Sequence, residues 1–310
     1  MDTSTISVAY LGPMATFTHE ALLTQQDLAS CRLESFRSIS DVLAAVASNE
    51  VDLGFIPLEN AIEGTVNATI DGLVFDYDLR IHKEVVMDIH LHLMANRAAT
   101  LENIQEVSSY PHALAQCQKN LRRHFPHAEQ RAANSTAEAA HQLSLMRETR
   151  TAAIAPRLAA ELYDLEILVE DIEDHPGNQT RFVVVSSSGI PKPTGHDRTS
   201  IVCFQRTDQP GSLHGILGQF SARNINLSKL ESRPTKQALG HYCFVIDMDG
   251  HIADEIIADC LRDLHANLPN VKFLGSYPAA GSNGVQIRLR AEDSRQAADD
   301  WVDRLRNEIA

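Results

Sequence analysis

The chain has 310 residues with 44% hydrophobic and 22% charged side chains, and its formal net charge is -14. This length and apolar content suffice for two or three domain cores of ordinary size and exclude a disordered chain. The acidic balance, with no basic segment, excludes nucleic acid and anionic membranes as partners.

The N-terminal residues, MDTSTISVAYLG, predict no targeting signal. They lack a basic region ahead of a long apolar stretch, and no later apolar run approaches the roughly 18 residues of a membrane span. We therefore expect a cytoplasmic protein without a membrane partner.

From Ile6 to about Val185, short apolar strands alternate with helices, which is typical of an α/β domain. ISVAYLG precedes a helix at ATFTHEALL, VDLGFIP precedes a helix predicted over LENAIEGTV, and VSSY precedes PHALAQCQKNL, with Pro111 in the first turn. AEQRAAN and TAAIA are further strands. They precede the helix TAEAAHQLSLM, where Ser135 and Glu138 form a capping-box pattern, and the helix RLAAELY.

Polar side chains stand where several of these strands give way to helices: Glu59, Asn60, Ser109, Ser135 and Thr136. A helix N-terminus has unsatisfied N–H groups that favour anions, and ligands of open α/β sheets bind at such strand ends. Most such junctions bind nothing, so simple helix capping stays open for each of them.

The stretch DHPGNQTRFVVVSS sets Asn178, Thr180, Arg181 and Phe182 directly ahead of a valine-rich strand. One amide, one hydroxyl, one planar cation and one aromatic face within a few residues would suit a small polar ligand. Alone, the pattern is better explained by an edge loop whose arginine is solvated.

The composition changes to Ser, Gly and Pro over SSSGIPKPTGHDR, which indicates a linker and a domain boundary. After it come the strand TSIVCFQR, a helix, the strands INLSKLESRPT and HYCFVIDMDG, a second helix and the strand VKFLGSYP. The order βαββαβ is that of a ferredoxin-like sandwich.

Farther on, an apolar stripe predicts one amphipathic C-terminal helix, packed on this chain or on a second subunit; its residues are Ala298, Trp301, Val302, Leu305 and Ile309.

Cysteine and histidine usage predicts no disulfide framework and no metal. The five cysteines are odd in number, scattered and without a C-x-x-C pair, so we expect reduced core residues. His90 and His92 alternate on one predicted strand, but no acidic or cysteine partner lies at a metal-site spacing.

Ordered blocks along the chain identify a family. The blocks are GPMATFT, IPLENAIEGTV, SSYPHALAQC, NSTAEAA, AAIA, NQTRF and ESRP. In this order they resemble prephenate dehydratase over nearly everything from Ile6 to Pro278. The resemblance implies a catalytic domain over residues 1–187, with two α/β lobes and a cleft, similar to type II periplasmic-binding-protein folds. It further implies a ferredoxin-like βαββαβ ACT regulatory domain over residues 198–278, which leaves residues 279–310 as a C-terminal extension.

The resemblance implies a carbon–oxygen lyase of phenylalanine biosynthesis. Such an enzyme converts prephenate to phenylpyruvate, CO2 and water without a metal or organic cofactor. L-Phenylalanine is the expected effector, bound at an ACT interface of a homodimer or homotetramer. The chain opens on the first catalytic strand, which predicts a monofunctional enzyme. An arogenate dehydratase and a non-catalytic cytoplasmic small-acid sensor stay open as alternatives.

Site roles follow from the same resemblance. Thr180 is the expected proton or hydrogen-bond donor to the leaving hydroxyl, and Arg181 is expected to fix a substrate carboxylate. Glu59 either pairs with a cation and organises the cleft, which we favour, or has a raised pKa. Phe182 packs beside the substrate ring or simply in the core. The remaining expected substrate contacts are Asn60, Ser135, Thr136 and Asn178.

In the ACT unit, the expected effector residues are Gly211, Leu213, Asn224, Glu231, Ser232 and Arg233. His214 stands where the family places an aliphatic residue, and we expect a buried neutral imidazole there. Ala61, Tyr110 and His112 also depart from the family pattern. We therefore expect no substrate contact from these three and place His112 on a helix surface.

Overall fold

The computed structural model describes residues 6–146, 148–205, 209–236, 241–280 and 300–307. They form two compact units. The first comprises the residues up to Gly72 together with Val85–Ser187. The second comprises Leu73–Glu84 and the residues from Ser188 onward. The second unit therefore includes one segment, Leu73–Glu84, that lies inside the catalytic region expected from the sequence.

The first sheet of the first unit has six strands. They are β1 (Ser7–Leu11), β2 (Arg32–Phe36), β3 (Leu53–Asn60), β4 (Gly64–Thr65), β5 (Arg80–Asp88) and β11 (Gln179–Ser186). Their order is β2-β1-β3-β11-β5, with β4 beside β3. The helices are α1 (Phe17–Leu23), α2 (Gln26–Ala29), α3 (Ile39–Ala47) and α4 (Asn67–Asp71), followed by a π-helical turn at Gly72–Asp76.

The helix predicted over LENAIEGTV is wrong. β3 continues through Glu59 and Asn60, because β11 runs antiparallel beside it and pairs Thr180 with Asn60 and Arg181 with Glu59. The backbone hydrogen bonds of these two residues are thereby satisfied by a strand from far along the chain. The next helix, α4, begins only at Asn67.

The second sheet of the first unit has five strands in the order β10-β6-β9-β7-β8. They are β6 (His92–Ala95), β7 (Glu106–Ser109), β8 (Glu129–Ala132), β9 (Thr151–Ala155) and β10 (Glu166–Val169). A short 3-10 turn, Leu101–Asn103, precedes β7. The helices are α5 (Pro111–Gln116), α6 (Gln118–His124), α7 (Thr136–Leu145) and α8 (Arg157–Tyr163).

Local helix signals in this sheet's connections are confirmed. Pro111 stands in the first turn of α5, and the Oγ of Ser135 accepts the N–H of Glu138 at 2.9 Å at the start of α7. The single helix predicted over PHALAQCQKNL is instead broken at Cys117, which separates α5 from α6.

Two segments join the sheets: residues 89–91 lead from β5 to β6, and residues 170–178 lead from β10 back to β11. We call them the first and second crossing, and each sheet with its helices a lobe. The predicted α/β catalytic region with two lobes is thus confirmed.

The second unit contains the predicted βαββαβ succession. Its elements are β12 (Asp197–Phe204), α9 (Ser212–Ser221), β13 (Leu227–Pro234), β14 (Tyr242–Asp249), α10 (Glu255–Asn267) and β15 (Asn270–Pro278). The strands form one antiparallel sheet in the order β13-β14-β12-β15. Apolar side chains of the sheet, α9 and α10 form one core. The ferredoxin-like prediction is confirmed.

Leu73–Glu84 is bound into this second unit by specific contacts. The Nζ of Lys272 on β15 donates to the carbonyl oxygens of Val74 at 3.2 Å and Tyr77 at 2.8 Å. Arg198 on β12 forms an ion pair with the buried Glu84. Half of β5 therefore belongs to the second unit and half to the first.

Of the predicted C-terminal helix, residues 300–306 are helical, and Trp301 and Leu305 are exposed. Ala298 and Ile309 lie outside the described residues. In the described ranges, no helix is both long and apolar enough to cross a bilayer.

Candidate active site

A cleft of about 430 Å³ opens between the two lobes of the first unit. The first lobe contributes Thr16 and Thr180 to its wall, the second contributes Tyr110 and Ser135, and Asn178 comes from the second crossing. This volume is within the range of sites that enclose a small organic molecule. Both polar and apolar side chains line the wall, which suits a small organic ligand held by directed hydrogen bonds.

Thr180 lies at the start of β11 with its side chain in the cleft wall and is 8% exposed. The side-chain amide of Asn60, opposite it on β3, donates to the Oγ1 of Thr180 at 2.8 Å. Because an amide N–H can only donate, the threonine oxygen accepts this bond and its own O–H is left to donate elsewhere.

Asn60 organises this end of the cleft. Its Nδ2 also donates to the Oδ1 of Asn178 at 2.9 Å. Its Oδ1 accepts the backbone N–H groups of Ile62 and Glu63, both at 3.0 Å. With both ends of the amide bonded, the side chain has one orientation.

The second lobe is connected to this network by α5. The Nδ2 of Asn178 donates to the Oε1 of Gln116 at 3.2 Å. Gln116 in turn donates to Glu63 at 3.2 Å, and the Nδ1 of His112 lies 2.8 Å from the same carboxylate. All four side chains line the cleft. Hydrogen bonds thus join the two lobes across the cleft.

Ser135 and Thr136 bring the N-terminus of α7 to the cleft. Ser135 is the N-cap, as its bond to Glu138 shows, so the capping alternative and a place in the cleft wall are both realised. The N–H groups of the first helical residues, Thr136 and Ala137, have no partner within the helix and favour a bound anion.

Arg181, Glu59 and Phe182 do not join the cleft wall. Successive side chains of a strand point to opposite faces, so Arg181 lies on the other face of β11 from Thr180. Its Nη1 is 3.8 Å from the Oε2 of Glu59. Glu59 therefore has the cationic neighbour that we favoured. Phe182 is 1% exposed and stacks on Phe55 at 5.4 Å between ring centroids, in the core.

Of the three residues that depart from the family pattern, two line the cleft and one does not. Ala61 donates its backbone N–H to Gln179 at 2.8 Å. Tyr110 and His112, however, line the cleft with their rings stacked at 5.4 Å. His112 is exposed on the first turn of α5, as expected, and this surface of the helix faces the cleft.

The cleft residues missed from the sequence include Arg37, Glu63 and Gln116. Arg37 follows β2 directly and precedes Ser38, whose Oγ caps α3. This is the same strand-to-helix junction that identified Ser135, so the signal was available. Glu63 and Gln116 had no comparable signal, since only the approach of α5 to the first lobe makes them neighbours.

In the second unit, the expected effector residues lie on two elements. Glu231 and Arg233 lie on the edge strand β13 and form an ion pair at 3.0 Å, and Ser232 between them is exposed. Gly211 precedes α9 with a φ of 88°, and Leu213 packs on the core. Asn224 follows α9 with a φ of 54°. The expected buried imidazole is wrong: His214 is exposed.

Family models match both units of the chain. The model described as prephenate dehydratase matches residues 8–189, and the model described as ACT domain matches residues 199–266. A prephenate dehydratase of Bacillus subtilis is 40% identical over 286 residues, which cover 88% of this chain and 98% of that protein.

Solved structures agree with the family models. The prephenate dehydratase of Arthrobacter aurescens in complex with L-Phe is 37% identical with a TM-score of 0.84, and the match covers 97% of this chain and 100% of that one. The prephenate dehydratase of Staphylococcus aureus is 30% identical with a TM-score of 0.76, covering 88% and 100% respectively. The chain therefore belongs to the prephenate dehydratase family, with an ACT domain after its catalytic region.

Proposed function

We propose that this chain converts prephenate to phenylpyruvate, CO2 and water. The observation that carries the proposal is the hydroxyl of Thr180, which an amide donor holds in the cleft wall so that its proton is available to a ligand. A protein that only binds a small acid would have no need for this arrangement.

The reaction requires the protein to position the substrate and to supply one proton. The bond from the ring to its carboxylate breaks, and the electron pair enters the ring. The opposite C–O bond breaks, and the hydroxyl takes up a proton as it departs and so leaves as water. Aromatisation supplies the driving force, so the cleft has to hold a dianion and assist the departing oxygen.

Thr180 is the proposed donor to that oxygen. A threonine hydroxyl is too weak an acid to protonate a leaving group in advance, so it acts while the C–O bond is breaking. General-acid assistance contributes about 10²- to 10⁴-fold to a rate. Asn60 and Asn178 orient Thr180 and face the same ligand.

The two carboxylates of prephenate need positive charge or N–H donors. The cleft wall offers the guanidinium of Arg37, His112 and the N-terminus of α7 with Ser135 and Thr136. Arg181 acts from behind the strand: with Glu59 it fixes β11 and thereby Thr180, so we propose a positioning role for it. Phe182 supports the same strand from the core.

We further propose that L-phenylalanine binds the βαββαβ unit and regulates the enzyme. The Arthrobacter aurescens relative is in complex with L-Phe. β13 is an edge strand with Glu231, Ser232 and Arg233 on it, and an exposed sheet edge is suited to pairing with a second copy. A homodimer or homotetramer with Gly211, Leu213 and Asn224 near the effector is the expected assembly.

A cytoplasmic location fits the cysteines. Cys31, Cys117, Cys203, Cys243 and Cys260 are free thiols, and all but Cys31 are buried. Unpaired thiols are usual where the compartment keeps them reduced.

The test is phenylpyruvate formation from prephenate by the wild type and by Thr180→Ala, each with and without L-phenylalanine. We expect the variant to lose about 10²- to 10⁴-fold in kcat while KM changes little, because binding does not require the hydroxyl. Thr180→Ser is the matched control, since it keeps the O–H, and should retain most of the rate.

Each contrary result has its own meaning. Unchanged turnover in Thr180→Ala would remove Thr180 from the mechanism. A wild type that acts on arogenate and not on prephenate would change the substrate, and inactivity on both would favour the small-acid sensor. Light scattering with and without L-phenylalanine tests the oligomer independently.

A further inference from the structure

The two crossings carry three side chains whose ligating atoms converge. The Nδ1 of His90 on the first crossing lies 3.2 Å from the Oδ1 of Asp171 and 3.4 Å from the Oε1 of Glu173, both on the second crossing. Among the described residues, these three form a group whose candidate ligand atoms all lie within 4.8 Å of one another. We call the group the crossing cluster. Its carboxylates follow far behind His90 in the chain, so the spacing argument that predicted no metal could not find them.

The separations fit a transition metal. Imidazole nitrogen and carboxylate oxygen bind Zn²⁺ at about 2.0–2.2 Å, which puts two ligands of a tetrahedral ion about 3.3–3.6 Å apart. The two separations that involve His90, 3.2 and 3.4 Å, need little adjustment to reach that range. One imidazole with two carboxylates also favours a first-row transition metal over Mg²⁺, which prefers an all-oxygen octahedron.

The ligands are held in advance by the backbone. Glu173 is buried, with a side chain that is 6% exposed, and its Oε2 accepts the N–H of Leu91 at 3.0 Å. The other oxygen, Oε1, is the one directed at His90. The backbone N–H of Asp171 donates to the Nδ1 of His92 at 3.2 Å, which anchors the second ligand. His90 and Asp171 are more than half exposed, so an ion can enter from solvent.

We propose that His90, Asp171 and Glu173 bind one divalent transition metal ion that ties the two crossings together. The ion takes no part in the chemistry of the cleft. Ile89 and Leu91, which flank His90, line the cleft, so an ion at His90 limits the movement of one lobe against the other. The opposing explanation is an ion pair between His90 and the two carboxylates, with no metal at all.

The experiment is calorimetric titration of Zn²⁺ into chelator-treated full-length protein, with parallel melting curves. We expect one ion per chain to bind saturably and to raise the melting temperature, because a ligand of the folded state stabilises it by mass action. His90→Ala and Asp171→Asn should each weaken that binding at least tenfold. Mg²⁺ should give neither heat nor a shift.

Matched controls separate this site from other histidines. His175→Ala removes an exposed histidine of the same crossing that is not in the cluster, and it should bind as the wild type does. Glu173→Gln keeps an oxygen for the N–H of Leu91 while removing the charge. It should therefore still fold, but it should bind the metal ion more weakly than the wild type does. Co²⁺ should show an absorption band in the visible range that His90→Ala abolishes.

Binding that is absent, or that survives in both His90→Ala and Asp171→Asn, would overturn the proposal and indicate adventitious binding at other side chains. If Mg²⁺ bound as tightly as Zn²⁺, His90 would not be a ligand of the ion, and the proposed site would be wrong. If the variants altered only the pH dependence of melting, without Zn²⁺ binding in the wild type, the ion pair would be the correct description.

Discussion

The direction of one hydrogen bond decides what Thr180 offers to a ligand. The side-chain oxygen of Asn60 is committed to the backbone N–H groups of Ile62 and Glu63, so its nitrogen must face Thr180. A hydroxyl that accepts at its oxygen can still donate its proton, and the cleft lies on its open side. Asn60 is therefore a positioning residue for Thr180.

Reversal of the hydrogen bond between Asn60 and Thr180 should slow the reaction strongly. In Asn60→Asp, a carboxylate oxygen replaces the donor, and it would accept the proton of Thr180 and turn it away from the cleft. We expect kcat to fall by about 10²- to 10⁴-fold, close to the loss in Thr180→Ala, and KM to rise because the new negative charge faces a dianion. Steady-state kinetics on prephenate checks this.

The control is Asn49→Asp, an exposed position with a left-handed backbone that aspartate also tolerates. It should leave kcat unchanged. Full turnover by Asn60→Asp would mean that the orientation of Thr180 does not depend on this amide.

Arg37 supplies the test of anion binding. It is the arginine of the described cleft wall, and its loss removes a charge-assisted contact worth about 1.5–3 kcal/mol. Arg37→Ala should therefore lower kcat/KM by about 10- to 100-fold, mainly through KM. Arg32→Ala, on the exposed face of β2 beside Glu34, is the matched control and should be silent. An unchanged KM in Arg37→Ala would mean that Arg37 does not bind the dianion, and that His112 and the N-terminus of α7 bind it instead.

Some residues with a predicted substrate contact lie together in the cleft wall, and others lie elsewhere. Asn60, Asn178, Ser135 and Thr136 all line the cleft with Thr180. Arg181 was predicted to fix a substrate carboxylate because its planar guanidinium can form two charge-assisted bonds with one. β11 begins at Gln179, however, and strand alternation then sends the two side chains to opposite faces.

Among the elements, α1 begins at a turn that depends on a neutral histidine. The Nδ1 of His19 accepts the backbone N–H of Ala15 at 3.1 Å, and its ring stacks on Tyr10. Burial lowers the pKa of His19 below its usual value. Thr16, in the same turn, lines the cleft. Protonation of His19 would remove the acceptor and disturb the cleft wall.

Acid should therefore destabilise the protein through this helix start. Below the ordinary histidine pKa of about 6.5, the unfolded chain binds a proton that folded His19 resists, so the free energy of unfolding falls as pH falls. Burial also lowers the pKa values of His82 and His92, which adds to the slope. The melting temperature should drop between about pH 7 and pH 5.

The variant His19→Gln isolates the contribution of one residue, since an amide oxygen can accept the N–H of Ala15 at any pH. Its melting temperature should depend less steeply on pH than that of the wild type. His127→Gln, at an exposed position, should keep the wild-type slope. Equal slopes in all three proteins would contradict the assignment to His19.

Local signals predicted the elements that local physics controls. Pro111, Ser135 and the apolar period of the helices act within one turn, so α5 and α7 begin where the sequence indicates. The extension of β3 through Asn60 was missed because its partner strand, β11, lies beyond both crossings. Pairing of this kind leaves no trace in the periodicity of either segment.

For the whole molecule, Gly275 is a position at which β15 packs closely against the Leu73–Glu84 segment. Its φ is 145°, and a Cβ there would lie 2.4 Å from the carbonyl oxygen of Ile81. Gly275→Ala should therefore lower the free energy of unfolding by about 2–3 kcal/mol, from backbone strain and overpacking. Urea denaturation measures it.

Gly218→Ala is the matched control, because a Cβ at this position in α9 meets nothing within 4 Å. It should be neutral or stabilise the helix by up to about 1 kcal/mol. If both variants unfolded at the same urea concentration, the contact with Ile81 would not hold the segment in place.

The Ser- and Pro-rich linker indicated where the chain passes from one unit to the other, and the compact units do divide beside Ser187. Composition could not show that Leu73–Glu84 joins the second unit as well. That assignment rests on Lys272, Arg198 and Gly275, which reach back to it from distant strands.

This shared segment constrains how such enzymes can be recombined. A chimera joined at the linker would combine Leu73–Glu84 of one protein with a regulatory domain of another, so the contacts of Lys272, Arg198 and Gly275 would no longer come from matched partners. Leu73, Leu79 and Ile81, each at most 2% exposed, would then lose part of their cover. Exchange of regulatory domains between relatives should accordingly work only when the N-terminal half of β5 and the turn before it are transplanted together with the ACT domain.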